Sequence, residues 1–198
     1  MDEARYTSFS GDLQLATGTL RETLARTKEA LDAGRAEQLL LFHDATGQQV
    51  DFDFTGTLDE VLDREAPHKP TRPGRPKLGV TSREVSLLPR HWEWLEQQPN
   101  GASAALRRLV EEARKRDPEG ERARLAVEAA SRVMTSLAGD RPNYEEASRA
   151  LFARDAARFS ALIAEWPVDV RAHLERLVEG SMRAPTAETA VDDAGPCL

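Results

Sequence analysis

Arg72, Gly74, Arg75, Pro76 and Lys77 stand in the run Arg72-Pro73-Gly74-Arg75-Pro76-Lys77. Its residue types suit one kind of chemistry, contact with the phosphates and the narrow minor groove of A·T-rich DNA. Prolines hold the backbone extended, glycine lets it approach the groove floor, and arginine matches the negative potential there. A second set lies downstream. Arg83 and Ser86 fall in a strand-like stretch, and Gly101, Ser103, Arg107 and Arg108 fall at the start of a helical one. Arginine and serine side chains read base edges or phosphate, and the free amides of a helix start bind phosphate. The charge balance points the same way. Residues 67–116 hold 11 basic against 5 acidic side chains, inside a chain of net charge -7. A basic island in an acidic protein is the asymmetry expected of a polyanion-binding segment.

Other constellations carry less. Asp44, Asp51 and Asp53 invite comparison with a metal site, but alternation of Asp51 and Asp53 with Val50, Phe52 and Phe54 makes them outward, solvated positions. His43 beside Asp44 reads as a hairpin residue. The four histidines are scattered and neither a phosphate loop nor a nucleophile motif is present, so no catalytic set is expected, nor a cofactor. Cys197 is the only cysteine, which excludes an intrachain disulfide and a cysteine-based metal site. No apolar run reaches membrane-spanning length, and the polar, acidic start MDEARYTSFSG lacks the pattern of a signal peptide, so the expected location is the cytoplasm and no membrane partner is expected.

The elements that position these residues follow from pattern. Residues 1–66 read as a small α+β domain of order ββαββα. Tyr6–Phe9 and Leu13–Thr17 flank a turn, and Thr19 with Glu22 starts a helix carrying Leu20, Leu24, Lys28, Ala30 and Leu31 on one face. Residues 38–43 and 49–54 make a second hairpin, and Thr57 with Glu60 caps a short helix. Residues 67–82 are a basic, Pro-rich linker. Residues 83–116 contain a strand over Arg83–Leu88, a helix opened by Pro89 with Trp92, Trp94 and Leu95 in a core, a break at Pro99-Asn100-Gly101, and a helix capped by Ser103. On that helix Leu106, Leu109, Val110 and Ala113 repeat at helical spacing, with Arg107, Arg108, Arg114 and Lys115 outside.

Residues 117–182 are helical. One helix places Leu125, Ala129, Val133 and Leu137 on a face, Asn143 with Glu146 caps the next, Asp155 caps another, and Trp166-Pro167 precedes the last. Tyr144, Trp166 and Arg158 are expected in core and rim. Residues 183–198 form a small, polar tail expected to be disordered. The expected fold class is therefore α+β, a small antiparallel N-terminal sheet with helix, then the central segment and a C-terminal helical bundle.

Three resemblances attach to these residues. Arg72 to Lys77, with its Gly-Arg-Pro core, resembles an AT-hook. Residues 83–116, through Leu88-Pro89-Arg90, Asn100-Gly101 and ASAALRRLV, resemble the ribbon-helix-helix DNA-binding family. That likeness implies a homodimer whose paired strands enter the major groove. The order of all the segments, with GRPKLGV, REVSLLPRHWEWL and MTSLAGDRPNYEEASRALFARDAARFSALIAEWP, resembles a bacterial family of unknown function, which implies no activity. The expected function is DNA binding by a homodimer, as in a transcriptional regulator. The alternative is an interaction or assembly module, in which the central segment only dimerises and the acidic lobes take a protein partner.

Overall fold

The structure, a computed structural model, describes residues 4–67 and 83–182. The N-terminal half is built on an antiparallel sheet of order β2-β1-β3-β4. Strands β1 (Arg5–Ser10) and β2 (Leu13–Thr19) form a hairpin about Gly11, whose φ of 55° needs a residue without Cβ crowding. Strand β3 (Leu39–His43) pairs on the other side of β1, and β4 (Gln48–Gln49) closes the edge. Helix α1 (Leu20–Asp32) starts at a capping box in which the Thr19 side chain takes the Glu22 N–H and Glu22 takes the Thr19 N–H. Helix α2 (Leu58–Glu65) starts the same way from Thr57 and Glu60. These boxes hold both carboxyls below their usual range, through the backbone N–H each accepts.

The expected second hairpin is shorter than its apolar alternation suggests. After the Val50 N–H reaches the Leu41 carbonyl, the chain leaves the sheet. Phe52 and Phe54 instead pack with Leu24, Leu41 and Leu62 beneath α1 and α2, while Asp51 and Asp53 stay exposed. Asp53 accepts from Thr55 and meets Arg64, and Asp44 lies apart at the end of β3, so these carboxylates do not converge.

The C-terminal helices are α5 (Pro118–Ala138), α6 (Tyr144–Phe152), α7 (Ala156–Leu162) and α8 (Val168–Val178). Their core takes in Phe9 and Phe42 from the sheet together with Val133, Met134, Leu151, Phe159, Ile163 and Leu174. Thr7, Ser8 and Phe9 of β1 are all buried, so both faces of the central strand are covered. On one side Ser8 hydrogen-bonds Thr27 of α1, at 2.7 Å. On the other, Phe9 meets the His173 ring of α8, edge to face. The sheet is therefore the middle layer between α1–α2 and α5–α8. Polar ties reinforce the packing: Asp169 accepts the Gln14 N–H at 2.9 Å, and Arg141 grips both oxygens of Asp12 at 2.6 Å.

Some sequence expectations fail here for local reasons. Leu125 is 44% exposed. Steps of four residues drift by about 40° each around a helix, so Leu125 has rotated away from Leu137. Ala123, Val127, Ala130 and Met134 form the buried stripe with Leu137. Asn143 and Glu146 make no capping box, because Asn143 sits in the left-handed region at φ 64° and its side chain accepts no bond. Asp155 does cap α7, accepting from the Arg158 N–H. Trp166 is buried with its indole N–H on the Pro142 carbonyl, Tyr144 bonds Thr135, and Arg158 pairs with Glu146 on the rim.

Candidate nucleic-acid interface

Pro89 begins helix α3 (Pro89–Glu96), where its missing N–H costs nothing and its fixed φ suits the first turn. Asn100 and Gly101 follow in left-handed backbone, at φ 66° and 76°, and turn the chain into α4 (Gly101–Arg116). A Cβ at Gly101 would meet nothing, so only its backbone conformation demands glycine. The two helices pack as a hairpin through Leu95 and Ala105, both buried.

Arg83–Leu88 is not a strand, contrary to the sequence expectation. The segment has no regular secondary structure until Leu88, whose backbone is extended, and it joins no ladder among the described residues; Arg83, Glu84, Val85 and Ser86 are all exposed. A strand forms only against a partner, and β1 to β4 do not offer one to this segment. Ser103 does not cap α4 either. The helix begins two residues earlier, with Asn100 in the cap position and no side-chain cap, which places Ser103 in the first turn. The Gly101 N–H is taken by the Gln98 carbonyl at 3.1 Å. The first turn of α4 carries no acidic side chain, which keeps the positive end of the helix dipole unscreened.

Arg107 and Arg108 are exposed on α4. Arg108 reaches the Gln98 side chain at 3.4 Å and Glu112 at 3.7 Å, loose contacts that a phosphate could displace. The last turn of α4 adds Arg114, Lys115 and Arg116. No hydrogen bond or ion pair joins Arg83 or Ser86 to α4 among the described residues. Arg72, Gly74, Arg75, Pro76 and Lys77 lie outside the described residues.

Side-chain exposure adds what periodicity missed. The sequence places Trp94 in a core with Trp92 and Leu95, yet it is 48% exposed. Trp92 and Trp94 point to opposite sides of the helix, so one short helix cannot bury both against one neighbour. Leu87, His91, Trp94, Leu95, Leu106 and Leu109 line an apolar groove of about 250 Å³ on the hairpin. Val85, Leu88 and Val110 are also about half exposed. The hairpin thus presents an apolar side that this chain does not cover among its described residues, and a basic helix beside it.

The fold and segment together define an α+β protein with a layered core and a two-helix arm. A family model described as an uncharacterised protein conserved in bacteria (DUF2239) matches residues 5–178, and the chain belongs to that family. No curated protein and no solved structure matches it. No helix among the described residues is long and apolar enough to cross a membrane.

Proposed function

We propose that the chain is a homodimeric DNA-binding protein whose residues 83–116 both pair two copies and contact DNA. The observation that carries the reading is the exposed Arg83–Leu88 segment, which joins no ladder among the described residues and leads into a helical hairpin whose apolar side is open. One short irregular segment and two short helices bury too little apolar surface alone, and a second copy would supply both a pairing strand and a cover. Helix α4 then brings Arg107, Arg108 and its uncapped N-terminal amides toward phosphate, while Arg83 and Ser86 are the base-reading candidates on the ribbon. The linker arginines Arg72 and Arg75 with Lys77 add minor-groove contact, on the strength of their sequence alone.

Binding of this kind releases counterions and weakens steeply with salt. Fluorescence anisotropy with A·T-rich and G·C-rich duplexes at low and moderate salt tests it. Arg75→Ala should weaken A·T-rich binding selectively; equal loss on both duplexes would remove the minor-groove assignment.

A second reading is favoured by the same groove. A protein partner with an apolar anchor could fill it, with residues 1–66, which hold 14 acidic against 6 basic side chains, providing a charged flank. Light scattering and anisotropy together separate the two, since this reading requires a partner-bound apolar face and no affinity for DNA.

A further inference from the structure

Helix α6 ends in a paired-bond termination: the Arg154 N–H reaches the Leu151 carbonyl at 3.1 Å and the Asp155 N–H reaches the Ala150 carbonyl at 3.0 Å. The residue between these bonds must adopt left-handed backbone, and glycine is the usual occupant. Here it is Arg154, at φ 56°. An L side chain in that conformation costs stability, which is retained where the side chain has a use. Arg154 lines an open cavity of about 540 Å³ at the elbow between α4 and α5, together with Arg114, Arg116 and Arg124.

The acids around this cavity are already committed. Asp117 caps α5, accepting the Gly120 N–H at 2.8 Å. Glu121 pairs with Arg124, which also holds Glu128. Glu111 takes Arg114 at 3.3 Å. Arg116 and Arg154 have no ion pair among the described residues. Two guanidinium groups from separate elements therefore share an open space with no acid assigned to either. Planar, multidentate guanidinium donors match phosphate oxygens better than a point charge does.

We propose that the α4–α5 elbow with Arg154 is a binding site for adjacent phosphate groups, with Arg116 and Arg154 as its principal ligands and Arg114 as a third. The shared chemistry is that of a diphosphate, which a nucleic-acid backbone or a free polyphosphate can supply. The site does not depend on the DNA reading, because free polyphosphate would occupy it in a chain that binds no DNA.

The test uses the full chain and pyrophosphate, followed by calorimetry, with Arg154→Gly and Arg116→Gln as variants. Arg154→Gly should raise the unfolding midpoint, because glycine relieves the left-handed backbone, and yet weaken pyrophosphate about tenfold or more. Arg116→Gln should weaken it similarly. Absence of saturable pyrophosphate binding at millimolar concentration, or Arg154→Gly binding as tightly as the parent, would overturn the site. So would a lower midpoint in Arg154→Gly, since Arg154 would then be holding the fold. Where pyrophosphate binding is lost in Arg154→Gly, a parallel loss of duplex affinity identifies a nucleic-acid backbone as the source. Unchanged duplex affinity, or none in the parent, identifies free polyphosphate.

Discussion

Arg176 places Nη2 2.5 Å from Nδ1 of His173, one turn earlier on α8. A guanidinium can only donate, so Nδ1 accepts and the imidazole carries its proton on Nε2. That Nε2 is buried without a partner among the described residues. Burial, aided by the Arg176 charge, pushes His173 down to about 3 from 6.5. The same guanidinium lies 3.3 Å from Thr7 Oγ1 and 3.9 Å from Asp44, whose carboxyl burial pushes up despite the Thr7 hydroxyl and the nearby arginines. These groups join the sheet to α8 through one polar cluster.

The acid dependence of stability follows from the two opposite shifts. His173 binds a proton more weakly folded than unfolded, so its contribution is intact above pH 6.5 and is lost as pH falls toward 3. At pH 4.5 the loss is roughly 3 kcal/mol. Asp44 binds its proton more tightly folded than unfolded, so acidification through its raised value offsets part of that loss. Urea unfolding at pH 7.5 and 4.5 checks both. His173→Leu should flatten the dependence and Asp44→Asn should steepen it.

Gly47 sits at φ 64° in the turn after β3, and a Cβ there would overlap the Ala129 carbonyl of α5. Arg132 secures the same turn through the Thr46 carbonyl at 2.5 Å. Gly47→Ala therefore combines backbone strain with a clash against main chain, and should cost about 2–4 kcal/mol by chemical denaturation.

The two capping boxes predict ordinary losses. Thr19→Ala and Thr57→Ala should each cost about 1 kcal/mol, since each leaves the N–H of the third helical residue without its acceptor. Asn143→Gly should stabilise, because Asn143 contributes left-handed backbone and not a cap.

These sites also mark what was legible in the sequence. Thr19 with Glu22, Thr57 with Glu60, Pro89 and Asp155 act within a few residues, so spacing alone fixes them. Asn143 with Glu146 has the same spacing and fails, because the preceding chain delivers Asn143 in left-handed backbone. Arg83–Leu88 has strand-like residues but joins no ladder within the described chain, and a sequence pattern cannot say where the partner is. The Asp44, His173 and Arg176 cluster and the Arg154 elbow join residues far apart along the chain. Only the layering of the sheet between helices, and the folding of α6 toward the α4–α5 elbow, bring them together.

The open apolar side of the hairpin predicts its own disruption. Val110 is 55% exposed on α4, next in sequence to Leu109 of the groove. Val110→Glu should leave the stability of the monomer within about 0.5 kcal/mol, as exposed substitutions do, while shifting the mass seen by light scattering from two chains to one.

The most direct measurement is anisotropy of a labelled duplex titrated with the full chain between 50 and 200 mM salt, with Val110→Glu alongside. The account predicts binding by a dimer, a fall in affinity of at least tenfold across that range, and loss of affinity in the monomeric variant. A chain that remains monomeric, or that leaves the duplex unbound at micromolar concentration in 50 mM salt, would contradict it.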